Sequence, residues 1–276
     1  MLEVLLLYLI IPGRINFLQL GRYGHFGEQR YRQQFGRRFD WLSFNASLAA
    51  SRTGNRVAIA FDPSYIIKSG KRTPYMGRFW SGCAKMAKRG LEISGIGLID
   101  MDLHTCFHLE TVQTPPTKTL EQVKYTLIDW YLHVLRTRKE ILQRLTNYVI
   151  ADAYFSKSTF VEGALEMGFH VISRFRDDAY FRYLTTEQPT GKRERPQLYD
   201  GKIEIEHLEE DRFEIINLEN GKGRILSAVA HSRSLSRDIL LCIWESEDKK
   251  VRKLYFSTDM QMKAKDVLDF YRTRFP

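Results

Sequence analysis

The sequence predicts a mixed α/β sheet followed late in the chain by an antiparallel β insertion, and three observations carry that reading. Two short apolar runs, Val57-Ala58-Ile59-Ala60-Phe61 and Tyr148-Val149-Ile150-Ala151, each end on an aspartate, Asp62 and Asp152. The periodic segments around them follow the order three strands, helix, strand, helix, strand. From residue 199 the texture changes to runs such as Lys202-Ile203-Glu204-Ile205-Glu206 and Ile239-Leu240-Leu241-Cys242-Ile243-Trp244, as expected for antiparallel strands.

Taken in order, residues 2–20 read as a helix broken at Ile11-Pro12-Gly13, because proline lacks the N–H that a helix interior needs. Residues 21–39 are polar and basic, with Arg22, Arg30, Arg32, Arg37 and Arg38 beside Tyr23, Phe26, Tyr31 and Phe35, and form a linker or a DNA contact without a complete recognition motif. A strand over 57–61 precedes two more over 95–102 and 106–113, joined by Asp102-Leu103-His104-Thr105 and closed by Thr114-Pro115-Pro116-Thr117. Leu120, Val123, Leu127, Trp130, Tyr131, Val134 and Leu135 recur at three and four residues, which predicts one helix across 119–145. A strand over 148–152, a helix over 158–167 and a strand over 170–175 complete a sheet of the ribonuclease-H kind. The tract 188–197, with Lys192, Arg193, Arg195 and two prolines, reads as a mobile linker into the β insertion, where Asn220-Gly221 signals a hairpin. Residues 259–276 read as an amphipathic helix carrying Tyr271 and Arg274. The expected division is thus a helical and basic segment over 1–50, a core over 51–185, an insertion over 186–257 and the start of a final core helix over 258–276.

Composition narrows the class. With 276 residues, 43% of them apolar, the chain can bury a substantial core. A formal charge of +9 and a pI near 9.4 favour a polyanionic partner, nucleic acid before an anionic membrane. Cys83, Cys106 and Cys242 are widely spaced and odd in number, which argues against a disulfide framework and for a reducing cytosol. The apolar start lacks the basic leader and small-residue cleavage site of a signal peptide, and the run is too short to span a bilayer. It opens without a polar cap, so both ends of the chain read as cut.

The chemistry centres on Asp62 and Asp152. A carboxylate at the end of a buried strand is held rigidly at a sheet rim, and two that converge repel each other until a hard divalent cation, Mg²⁺ or Mn²⁺, neutralises them. The plainer alternative makes Asp62-Pro63-Ser64 a turn and Asp152 a helix cap. Between Asp62 and Glu92 there is no acid, yet Lys68, Lys71, Arg72, Arg78, Lys85, Lys88 and Arg89 all fall there. They alternate with Tyr65, Tyr75, Phe79 and Trp80 and are broken by Gly70, Gly77 and Gly82, the composition of a flexible basic loop for a phosphate backbone or of a solvated surface. Lys157, Arg174 and Arg176 lie near Asp152 and extend the basic set. His104, Cys106 and His108 alternate like ligands, but no second pair with zinc-finger spacing follows.

These stretches resemble the DDE transposases of bacterial insertion sequences, in the group whose signature is Tyr-x2-Arg-x3-Glu-x6-Lys. The matching segments are Phe61-Asp62-Pro63-Ser64-Tyr65-Ile66, Gly77-Arg78-Phe79-Trp80-Ser81-Gly82, Ala151-Asp152-Ala153-Tyr154-Phe155-Ser156-Lys157, residues 168–178, Phe256-Ser257-Thr258-Asp259 and Phe270-Tyr271-Arg272-Thr273-Arg274-Phe275. The resemblance implies a ribonuclease-H-like fold and makes Asp62 and Asp152 the first two catalytic, metal-binding members of an acidic triad. It also implies Mg²⁺ or Mn²⁺ as cofactor, element-end and target DNA as partners, a homodimer in the synaptic complex, and a bacterial cytoplasmic, nucleoid-associated location. Tyr271 and Arg274 fit Tyr-x2-Arg and join the DNA-binding set, whereas the signature glutamate would fall four residues after Arg274, beyond Pro276. Asp178, Asp259 and Asp266 lack the expected spacing, so the chain as given is expected to be inactive, with its final turn frayed. A noncatalytic DNA-binding remnant and a ribonuclease-H-like nuclease are the alternatives.

Overall fold

The computed structural model describes residues 2–70, 73–185, 197–219 and 223–274. Lys71, Arg72, the tract containing Lys192, Arg193 and Arg195, the Asn220-Gly221 signal and Phe275 lie outside the described residues. The chain divides into two compact units, Met1–Trp41 and Leu42–Pro276.

In the first unit α1 (Leu2–Ile10), α2 (Phe17–Tyr23) and α3 (Glu28–Phe35) pack around Leu7, Ile11, Leu20 and Tyr31. The Asn16 side chain accepts from Gln19 N at 3.0 Å and starts α2, so the break after α1 is wider than the Pro-Gly pair alone implies. Tyr31 donates to Glu3 at 2.7 Å, tying α3 to α1 within a segment whose composition reads as linker.

The second unit is mixed α/β. It opens with α4 (Trp41–Ala50), β1 (Val57–Ile67), β2 (Gly77–Ser81), β3 (Met86–Asp100) and β4 (Thr105–Gln113). Three helices follow, α5 (Thr117–Gln122), α6 (Leu127–Arg136) and α7 (Lys139–Gln143). The expected single helix is therefore interrupted. Lys124 sits at a left-handed φ of 56°, and Thr126 and Asp129 form a reciprocal capping box that starts α6 afresh. The chain continues through β5 (Tyr148–Ile150), α8 (Ser158–Glu166), β6 (His170–Arg174), β7 (Phe181–Leu184), β8 (Tyr199–Lys202) and β9 (Glu214–Asn217). It finishes with β10 (Arg224–Ser232), β11 (Arg237–Glu245), β12 (Arg252–Ser257) and α9 (Ala264–Thr273).

Among the described residues twelve strands form one sheet, ordered β2-β3-β1-β5-β6-β12-β11-β10-β7-β8, with β4 on β3 and β9 on β10. The β1–β5 and β5–β6 pairs are parallel, and the other pairs are antiparallel. Within the expected insertion, β12 pairs with β6 and carries β11 and β10 onto the same sheet. One face is covered by α4, α6 and α8 through Ala46, Tyr131, Leu135, Phe160 and Val161, packed with Ile59, Phe61, Ile96 and Leu98. The opposite face receives Val267, Leu268, Phe270 and Tyr271 of α9 against Ala58, Ala60, Ile150 and Ile172. Successive strand residues point to opposite faces, so Phe61 belongs to the first face and Asp62 to the face under α9.

Two features of β1 and β3 differ from expectation. β1 runs through Pro63 to Ile67, so Asp62 lies inside a strand instead of ending one, and the turn reading of Asp62-Pro63-Ser64 fails. Beyond Ala60, β1 has β3 on one side and no paired β5 residue on the other, and such an edge tolerates a residue without an N–H. The expected basic loop is mostly a β arm. Its tip is the β2–β3 ribbon, in which Gly77 pairs with Gly90 and Ser81 with Met86.

Candidate functional site

The site forms where the parallel strands end. Ala60 pairs with Ile150 and Ile150 with Ile172 across β1, β5 and β6. Two residues further along each chain stand Asp62, Asp152 and Arg174, so these three positions follow one another at the rim of the sheet, and Asp62 and Asp152 are near enough to be coupled by charge. Arg174 is paired in register with Tyr255 of β12, which extends the row.

Asp152 stands two residues after the end of β5 and caps a short 3₁₀ turn, Ala153–Phe155, by accepting from Tyr154 N at 2.9 Å. The capping alternative is thus realised, and it fixes the carboxyl without consuming its second oxygen. Behind it, Ser173 Oγ donates to the Asp152 carbonyl at 2.9 Å and Ser156 Oγ to the Arg174 carbonyl at 2.6 Å. These serines lock the rim of the sheet. No spacing rule in the sequence identifies them, because their partners are main-chain atoms brought close by the fold.

Asp62 is coupled to its surroundings electrically. Burial pushes its carboxyl above the usual carboxylate range; Arg274 opposes that rise, Asp152 adds to it, and a hydrogen bond from Ser64 opposes it. Arg274 Nη2 reaches Asp62 Oδ1 at 3.3 Å, and Ser64 Oγ donates to Oδ2 at 3.4 Å. Asp62 keeps 44% of its side-chain surface exposed while Arg274 keeps 4%, so the carboxylate still faces solvent and the arginine approaches from within. Tyr271 stacks edge-on against Tyr255 at 5.1 Å, and its hydroxyl is raised by burial, with Arg274 and Arg174 lowering it and Asp152 and Asp62 raising it. The expectation of a frayed final turn is corrected for these residues. Tyr271 is 8% exposed because the aromatic and aliphatic face of α9 packs on the sheet.

Two carboxylates meet here, and among the described residues no group of three His, Cys, Asp or Glu side chains gathers as a metal site. Asp259 accepts from Tyr148 Oη at 2.6 Å, Asp266 lies 3.5 Å from Arg56, and Asp178 follows β6 on an exposed stretch. None of the three joins Asp62. The zinc-like trio also dissolves: His104 occupies a turn at φ 49°, and His108 bonds Thr111 at 3.2 Å.

The basic residues split into two groups. Lys157, Arg174, Tyr271 and Arg274 surround the acids, with Lys157 Nζ 3.7 Å over the Tyr154 ring. Burial lowers the Lys157 amine, Arg176 lowers it further and Asp152 raises it. Lys68, Arg78, Lys85, Lys88 and Arg89 are exposed on the arm, away from the acid pair. No family model and no curated protein sequence matches the chain.

Proposed function

We propose that this chain is the carboxylate-bearing core of a DNA-cleaving and strand-transferring enzyme of the DDE transposase type. The reading is carried by the parallel pairing of Ala60 with Ile150, which stand two residues before Asp62 and Asp152, together with the charge coupling between the two acids, and the basic surroundings support it. Side-by-side carboxylates with solvent access suit one hydrated Mg²⁺ or Mn²⁺, which when bound activates a water or 3′-hydroxyl and stabilises the leaving oxygen of a phosphodiester. Asp62 and Asp152 would hold the cation, Arg274 balances the charge of Asp62, and Arg174 and Lys157 stand alongside where they would receive phosphates. A third carboxylate is required to fix the geometry of two ions about 4 Å apart, and the described residues supply none. We therefore expect these residues to bind DNA and one cation weakly and not to cleave.

The test is metal-dependent nicking of supercoiled plasmid, comparing the chain with a version whose α9 is extended to place a glutamate four residues after Arg274. Nicking by the extended version that Asp152→Asn abolishes supports the proposal. DNA binding without nicking by either version would assign the chain to noncatalytic binding, a reading favoured by the Arg274–Asp62 pair. Nicking by the short chain that Asp152→Asn removes would mean another residue completes the site.

A further inference from the structure

The face that carries Asp62 continues onto the arm. Directly paired residues of antiparallel strands share a face, and Asp62 pairs with Gly95 of β3. Along β3 the same face passes through Ile93, Leu91, Arg89 and Ala87, and the last two pair with Arg78 and Trp80 of β2. Trp80 is 63% exposed, an unusual position for a large indole, and it stands two residues from Arg78 with Arg89 across the ribbon. The opposite ribbon face differs, since Phe79 there is buried.

The arm is built to hold this face in place. Tyr65 Oη donates to the Arg89 carbonyl at 2.7 Å, and its ring crosses Gly90 so closely that a Cβ there would lie 2.6 Å from the ring and 2.4 Å from the Ile66 carbonyl. Arg89 Nη2 also donates to the Gly70 carbonyl at 3.2 Å. Eight residue steps along β3 separate Gly95, the partner of Asp62, from Ala87, the partner of Trp80, a reach of about 26 Å. DNA rises about 3.4 Å per base pair along its axis, so the same span covers about eight base pairs.

We propose that the β2–β3 ribbon grips DNA about eight base pairs from the acid pair and that Trp80 stacks on a base unpaired there, flanked by phosphate contacts from Arg78 and Arg89. This rests on the reading of the chain as a DNA-handling enzyme and adds a preference for locally opened duplex. An indole has no charge to attract a phosphate and no donor set that distinguishes bases in a groove, but it presents a π face to any unstacked base. Two-stranded ribbons also fit the major groove, which accounts for how the tip reaches the bases.

The experiment titrates the chain, with chelator present, against a plain duplex, the same duplex with an unpaired bubble, and that bubble carrying a fluorescent purine analogue. The native chain should favour the bubble and quench the analogue. Trp80→Ala should lose about tenfold in affinity for the bubble and at most about twofold for plain duplex, with the salt dependence unchanged. Trp80→Phe should restore most of the loss. Because Trp80 and its partner Ala87 are both exposed, circular dichroism should match the native chain. Equal losses on both DNAs, or none, would overturn the stacking role while leaving DNA handling intact. A native chain that binds neither DNA would overturn both.

Discussion

Asp62 and Glu245 both project from strands of the same sheet, yet they reach opposite electrical states. Glu245, at the end of β11, has no exposed side-chain surface, and burial alone would raise it. Hydrogen bonds and charge from Arg224 and Arg252 more than reverse that, with Arg224 Nε at 2.5 Å and Arg252 Nη2 at 2.6 Å, and the carboxyl is held below its ordinary value. Asp62 is far more exposed but is raised, because one arginine at 3.3 Å does not offset burial together with Asp152. Glu92, on the strand beside Asp62, is raised as well: burial dominates, and the hydroxyl of Tyr131 at 2.6 Å relieves it only in part. Exposure thus does not set the direction in which these carboxylates shift. The number of guanidinium partners does. Glu245 is saturated by two arginines, while Asp62 at the rim of the parallel strands is under-compensated and open to solvent.

The largest expected effect tests the saturated side. Glu245→Ala removes the shared anion of Arg224 and Arg252, both partly buried, while Arg224 keeps Glu210 and Arg252 the Ile205 carbonyl, and should cost about 3 kcal/mol in urea denaturation. Asp62→Asn should cost about 1 kcal/mol or less, since the amide oxygen still accepts from Arg274 and the site is partly wet. Comparable losses for the two would erase the contrast.

Next in size are the pH dependences, which should run in opposite directions. Glu245 is lowered from 4.5, so its contribution is complete above that value and is lost as pH falls through the folded-state pKa; Glu245→Gln should remove that acid-side loss. Glu92 is raised from 4.5, so the native state holds the extra proton and stability declines as pH climbs from 4.5 through the folded-state value. Glu92→Gln should flatten that decline. Chemical denaturation across this range measures both, and slopes of the same sign would show that hydroxyls and guanidinia compensate alike.

A smaller effect sharpens the open side. Millimolar Mn²⁺ should raise the melting temperature of the native chain by a degree or two and leave Asp62→Asn and Asp152→Asn unmoved, because a ligand stabilises only what binds it. An equal rise in all three would place the cation elsewhere. Smallest of all, Ser64→Ala should change stability by less than about 0.5 kcal/mol, as its bond to Asp62 is long and exposed.

Much of this was legible in the residues themselves. The apolar runs leading into Asp62 and Asp152, the strand–helix–strand order, the antiparallel texture after residue 199 and the absence of acids from 63 to 91 are all periodicity or composition, which depend on local sequence. The amphipathic face of α9 was legible for the same reason. Other features required the third dimension. That Pro63 continues β1 follows from β5 ending early beside it, and that the basic segment is a ribbon follows from β3 having room to pair with β2. The adjacency of Asp62 and Asp152 depends on a parallel pairing between segments about ninety residues apart, the Arg274 contact on a helix packed over that pair, and the saturation of Glu245 on two arginines from neighbouring strands. Residue types and periods are properties of the chain, whereas partners across a sheet are chosen by which strands pair, and that choice is made by the packing of the whole core.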